Sequence, residues 1–349
     1  MSYTRILSID GGGIRGIVPG KVLVALERKL IEKTGNSEAR LADYFDMIAG
    51  TSTGGILTCA YLCPDDSGRP RFTAEEVLDL YLKKGKIIFR RNPWKAITTL
   101  WGLLDEKYQS KGLEKALKEY FNDHKLSELI KPSLITAYEI THRKAFFFTS
   151  HDAGERSADF YLTDVARATS ATPTYFEASR IISMDMEILS LVDGGVFANN
   201  PALCAYAEAR MHFKKPNSEE KISAKDMVIV SLGTGTVKKR YNHYRAKNWG
   251  MAGWVKPLFD IMMSGVSETV DFQLQQIFDS VDASDRYIRI NPEIPFNVDE
   301  SMDKVSDKNL NALQMLGNDT AMRFDDKLDK IVELLVNNEL TEKPEAEEA

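Results

Sequence analysis

Four apolar runs in this chain end abruptly in small, glycine-rich corners. Arg5–Ile9 runs into Asp10 and three glycines, and Phe45–Ala49 runs into Gly-Thr-Ser-Thr-Gly-Gly. Glu187–Val192 runs into Asp193-Gly-Gly, and Met227–Leu232 into Gly-Thr-Gly. Short apolar runs bounded by turn residues read as buried strands. Helical spacing follows the first of them: Leu23, Leu26 and Leu30 recur between Pro19, which suits a first turn, and Gly35, which suits a helix end. Residues 56–62, ILTCAYL, form the next helix. The order strand, turn, helix, strand, sharp turn, helix predicts an α/β fold with a mostly parallel central sheet and helices packed on it. In such sheets, sites lie at the carboxyl ends of the strands, where the corners are.

Further along, Thr73 and Glu76 make a capping box for a helix over Ala74–Lys84. Ser133–Ile140 and Lys144–Ser150 read as a strand pair about a turn at Thr141–Arg143. Asn199, Asn200 and Pro201 open a helix that runs through Arg210. A single domain is expected over residues 1–335, its last third a helical extension, with a disordered acidic tail at 336–349. The 349 residues are 43% hydrophobic and 28% charged, a globular profile, and their net charge of -6 argues against DNA or RNA as partner. Cys59, Cys63 and Cys204 form neither a disulfide framework nor a zinc set, so we expect buried thiols and no metal or cofactor. The start of the chain lacks a basic and apolar leader, and no apolar run is long enough to span a bilayer, so a cytoplasmic protein is expected.

The first corner has two readings. Gly11, Gly13 and Gly16 fit the G-x-G-x-x-G dinucleotide pattern between strand and helix. However, the second strand ends in Ala49 and Gly50, with no acid to hold a ribose, and no G-K-[ST] follows the glycines. The other reading is acyl transfer. Gly50-Thr51-Ser52-Thr53-Gly54 is G-x-S-x-G at a strand-to-helix corner, the setting that pushes a serine hydroxyl outward, and the following helix adds its N-terminal dipole.

A serine nucleophile needs a base. None of the five histidines, His124, His142, His151, His212 and His243, stands at a strand-end glycine corner. Asp193 does, with Gly194 and Gly195 leaving it open, and a carboxylate touching the serine can take its proton. The amides of Gly11, Gly12 and Gly13 then have a use, because glycine lets backbone N–H groups close on a developing oxyanion. Arg15 holds an anionic head group or braces the loop, and Asp10 fixes the turn by accepting backbone hydrogen bonds.

The motifs Asp10–Gly16, Gly50–Gly54 and Asp193–Gly195, in this order, resemble the patatin-like phospholipases, and VIVSLGTG and Ser170–Ala178 are similar to segments of that family. The resemblance implies a three-layer α/β/α fold, no metal, a Ser52–Asp193 dyad, an oxyanion hole at Gly11–Gly13, and hydrolysis of phospholipid acyl esters. Length and the plain N-terminus are also similar to bacterial members that cyclic dinucleotides activate in antiphage defence, which implies such an activator. The rival from another class is a nucleotide-binding regulatory module without hydrolase activity. A homo-oligomer is open on either reading.

Two basic and aromatic stretches suit the inner face of a membrane. Lys86–Leu104 has four cations, no acid, Trp94 and Trp101; Lys238–Met263 has six cations with Trp249 and Trp254.

Overall fold

A computed structural model describes residues 3–89, 108, 110–215, 218–237 and 241–336. The stretch from 90 to 104, the cations at 238–240 and the tail from 337 lie outside them.

The first strand, β1 (Thr4–Ile9), pairs in parallel with β2 (Met47–Thr51) on one side and β7 (Met227–Leu232) on the other. In turn β3 (Ser133–Glu139) lies parallel to β2, and β8 (Tyr287–Ile290) parallel to β7. These five strands are the parallel body of an eight-stranded sheet. Three antiparallel strands complete it: β4 (Lys144–Thr149) against β3, β6 (Ile188–Asp193) against β3, and β5 (Ser179–Ile182) against β6.

Alternate side chains enter opposite cores, as the two-residue period of a strand requires. Leu7, Ile48, Val228 and Val230 join one core with Leu23, Leu57, Leu78, Leu313 and Ile331, from the helices Ile17–Thr34, Thr53–Leu62, Ala74–Ile88, Asp307–Arg323 and Asp325–Val336. Ile6, Met47, Ala49 and Ile229 join the other with Ala205 and Leu274, from Ala202–His212 and Gly250–Asp279. The result is three layers, helices on both faces of a mostly parallel sheet. The capping box forms as expected: the Glu76 N–H donates to Thr73 Oγ1 and the Thr73 N–H to Glu76 Oε2, at 3.2 and 2.9 Å. All three cysteines are free, with Cys59 and Cys63 buried.

The pairing of β3 positions everything that follows. On one edge β4 covers Leu134 to Glu139. Both remaining partners must therefore share the other edge. Residues 133–136 pair with β2 and residues 137–139 with β6, which runs the opposite way. The two strands thus approach head-on, and their last residues, Thr51 and Asp193, pair with the consecutive residues Thr136 and Ala137. Contact is close enough that a Cβ on Gly194 would lie 2.0 Å from Thr136 Oγ1. Gly194 is small where two strand ends meet.

Candidate active site

Ser52 follows the end of β2 and caps the helix Thr53–Leu62 with φ 55° and ψ −119°. A non-glycine residue held in such a region carries strain of about 1–3 kcal/mol, which marks functional positions when the surroundings enforce it. Here they do. The Ser52 N–H donates to Thr169 Oγ1 at 2.8 Å, and that hydroxyl donates to the Thr136 carbonyl at 2.7 Å. Thr51 Oγ1 donates to the Ala198 carbonyl at 2.6 Å, and Thr53 Oγ1 to the Tyr81 hydroxyl at 2.6 Å.

The flanking glycines follow from how tightly the corner folds. A Cβ on Gly50 would lie 2.2 Å from the Gly54 carbonyl oxygen, and one on Gly54 would lie 2.0 Å from that of Ile9. Both obstacles are backbone, which cannot swing aside. Gly54→Ala is therefore expected to lose about 3 kcal/mol or more of stability, read as a lowered urea midpoint; a midpoint within error of the wild type would contradict the contact.

Asp193, fully buried, faces this corner. Its Oδ2 accepts the Thr172 hydroxyl at 2.6 Å and its Oδ1 the Gly195 N–H at 2.8 Å. The Ser52 hydroxyl also reaches the carboxyl. Burial pushes the Asp193 pKa above the ordinary aspartate value, and the hydrogen bonds from Thr172, Ser52 and Gly195 oppose the rise. Ser52 and Asp193 line one narrow pocket whose remaining wall includes Ile56, Ile88, Phe89, Leu113 and Phe176. No histidine lines it or the cavity beside it. His151 instead bonds Glu208 at 2.7 Å, and its donor atom lies within 4.8 Å of those of Asp152 and Glu208, in a group outside both.

The glycine loop requires one correction. The Gly11 N–H donates to the Asn199 carbonyl at 3.0 Å, so it has no bond left for an oxyanion. The N–H groups of Gly12 and Gly13 meet no acceptor among the described residues. The loop is pinned from both sides: Thr234 Oγ1, at the end of β7, donates to the Gly11 carbonyl at 2.8 Å, and the Ile14 N–H donates to the Met302 carbonyl at 2.8 Å. Gly13 has φ +59°, and a Cβ there would lie 2.3 Å from that same carbonyl oxygen.

Asp10 also differs from expectation. Among the described residues its carboxylate takes no backbone hydrogen bond; it faces Arg289 of β8, whose Nη1 donates to Asp10 Oδ1 at 2.8 Å, and it accepts from Ser267 Oγ at 3.1 Å. Arg15 is buried beside the loop, its Nε donating to the Gly12 carbonyl at 3.4 Å. Sequence reasoning missed Thr169, Thr172 and Asn199 as site residues. Thr172 lies in the quoted segment Ser170–Ala178, so a signal was present. The Asn199 side-chain oxygen is buried with no partner among the described residues, 2.5 Å from where a Gly11 Cβ would stand.

A family model described as patatin-like phospholipase matches residues 7–206 of this chain, from β1 through the corner after Asp193. The chain belongs to the patatin-like phospholipase family. Patatin-like protein 2 of Arabidopsis thaliana is 36% identical over 337 residues, 91% of this chain and 83% of its own. Patatin-like protein 4 of the same plant is 32% identical over 331 residues, 90% and 82% of the two chains. A potato relative at 32% identity, covering 89% and 84%, is named probable inactive patatin-3-Kuras 1. VipD from Legionella pneumophila aligns over 94% of this chain and 67% of its own at 13% identity and a TM-score of 0.38, too loosely to bear on mechanism. The patatin-like phospholipases are lipid acyl hydrolases, so the class of reaction follows from membership. Among the described residues, no helix is long and apolar enough to cross a membrane.

Proposed function

We propose that this patatin-like protein hydrolyses acyl esters of phospholipids through a dyad of Ser52 and Asp193. One observation carries the reading: β2 and β6 meet head-on along β3, so the serine corner and the buried carboxyl open into one largely apolar pocket. Asp193 takes the Ser52 proton as the hydroxyl oxygen attacks the ester carbonyl carbon. The oxyanion forms beside the free amides of Gly12 and Gly13, near the N-terminus of Thr53–Leu62. Collapse expels the alcohol, which regains the proton from Asp193. Water, deprotonated by Asp193, then attacks the acyl-enzyme, and Ser52 is released. The acyl chain lies against Ile56, Ile88, Phe89 and Phe176.

Burial makes Asp193 a stronger base than an exposed aspartate, and general-base help is worth about 10²–10⁴-fold when base and proton are in contact. Asp193 must be ionised to act, so kcat/KM on a p-nitrophenyl ester is expected to climb with pH along an acid limb. Its midpoint should lie above the roughly 3.9 of an unperturbed aspartate, because the folded pKa is raised. An acid limb at or below that value would contradict the buried base.

The proposed contact with lipid is supported by the second basic and aromatic stretch. Trp254, Leu258, Ile261 and Met262 are exposed along one face of Gly250–Asp279, and Trp249 stacks edge-on between Tyr241 and Trp254. Peripheral action at the inner membrane face belongs to this proposal. The deciding experiment uses a fluorophosphonate probe and a lipid product assay together. Labelling of Ser52 with release of free fatty acid is expected. An unlabelled protein that binds nucleotide tightly would favour the regulatory module. Activation by a cyclic dinucleotide, and a role in antiphage defence, have no residue behind them, and the three patatin relatives named above are plant proteins. It forms an arm of the same assay, in which an added cyclic dinucleotide must raise the rate for it to stand.

A further inference from the structure

Beside the narrow pocket lies a cavity of about 770 Å³ that shares Tyr175, Met263 and Met302 with it. The two spaces contrast in chemistry. Most of the residues that line the cavity are polar or charged, and they come from the loops after β1, β7 and β8 and from one face of Gly250–Asp279. On that helix Asp260, Ser264, Ser267 and Asp271 recur at the three- and four-residue spacing that brings side chains to one face.

Two observations point to a ligand. Arg15 lines the cavity, is 91% buried by its 9% exposure, and has one hydrogen bond among the described residues, the long one from Nε to Gly12. Its two terminal nitrogens donate to no described residue. Asp260 and Glu300 favour its charged form through space, and its remaining donors are left for an anion, which a guanidinium binds through paired hydrogen bonds. The rest of the cavity has the opposite charge. Leaving aside the Asp10–Arg289 pair, Arg15 and Lys327 face Asp260, Glu268, Asp271 and Glu300. Asp260 accepts the Tyr241 hydroxyl at 3.1 Å, and Tyr175 and Tyr241 supply aromatic surface nearby.

We propose that this cavity is a headgroup subsite for zwitterionic phospholipids, with Arg15 binding the phosphate and the Asp260–Tyr241–Tyr175 wall binding the ammonium. The proposal rests on the esterase reading above. With the ester at Ser52 and the acyl chain in the apolar pocket, the glycerol passes Tyr175, Met263 and Met302. Its phosphate then meets Arg15, two residues beyond the free Gly13 amide, by charge-assisted hydrogen bonds. The alkylammonium lies against carboxylate and aromatic faces, the combination that recognises choline-type cations. An anionic headgroup would place its second polar end against four carboxylates, with repulsion setting the selectivity.

The full-length protein is assayed on mixed micelles of phosphatidylcholine, phosphatidylglycerol or a galactosyl diacylglycerol with matched acyl chains, and on p-nitrophenyl butyrate. kcat/KM for phosphatidylcholine is expected to exceed that for either other lipid by about tenfold or more. Arg15→Gln should cost phosphatidylcholine about tenfold more than it costs the nitrophenyl ester, and Asp260→Asn should bring the choline and glycerol lipids to within about threefold of each other. Equal rates on the three lipids, or preference for the glycerol or galactosyl one, would overturn the subsite. A protein inactive even on the nitrophenyl ester would sink the esterase reading instead, and the headgroup question is then decided by binding alone. For that, the Ser52→Ala protein is titrated with glycerophosphocholine and with glycerol 3-phosphate in a calorimeter. Tighter binding of glycerophosphocholine supports the subsite, and equal binding, or none, refutes it.

Discussion

Ser52→Ala and Asp193→Asn proteins are each expected to lose ester hydrolysis by roughly 10⁴-fold or more while still unfolding in one cooperative transition. Nucleophile and base act as a unit, so the double variant should be little worse than either single one. The two changes differ in their effect on stability. Ser52→Ala removes a hydroxyl but leaves φ positive at a non-glycine residue, so the strain stays. Asp193→Asn removes a charge that the fold holds at a cost. The folded pKa of Asp193 is raised, so its favourable contribution is present below the unfolded value and is lost as pH rises through the folded one. The variant should therefore gain in Tm relative to the wild type at pH 8, and that gain should vanish on acidification. An Asp193→Asn protein that keeps hydrolysing esters would remove the aspartate from the chemistry, whatever its stability.

Arg289→Met is expected to destabilise by about 3–5 kcal/mol, a fall of roughly 10 °C in Tm. Arg289 and Asp10 have side chains only 10% and 3% exposed. The guanidinium also donates to Ser231 Oγ at 2.7 Å and Ser267 Oγ at 3.2 Å, tying β8, β7 and the long helix to the end of β1. Removing it leaves a buried carboxylate whose only remaining hydrogen-bond partner among the described residues is Ser267. That carboxylate then prefers to be protonated, so the deficit should shrink as pH falls. Adding Asp10→Asn to Arg289→Met should restore part of the loss, since no bare charge remains to be desolvated. A loss that the second change does not relieve would mean that packing, not charge, sets the cost.

Much of this protein was legible in its sequence, for local reasons. A strand that must stop and turn within two residues needs glycine there, and Gly50 and Gly54 show why, since each would drive a Cβ into backbone. The apolar runs gave the parallel strands because both faces of those strands are covered. Elements without such a signature went unread: β5, β8, the helix Leu162–Thr169 and the 30-residue helix Gly250–Asp279. That helix alternates between lining a polar cavity and exposing apolar side chains, so no single hydrophobic face announces it.

The site divides in the same way. Sequence by itself determined the strained serine corner, the aspartate at a strand end and the glycine loop, because each is a chain geometry imposed by its own neighbours. Only the tertiary structure decided which groups are free to act. Gly11 spends its N–H on Asn199, Asp10 is held by a side chain 279 residues away, and Thr172 supports Asp193 across 21 residues of chain. The meeting of Ser52 with Asp193 is likewise a matter of register: β4 fills one edge of β3 and leaves β2 and β6 to share the other. Hydrogen-bond partners and strand edges are assigned by what arrives from elsewhere in the chain, and local sequence holds no record of that.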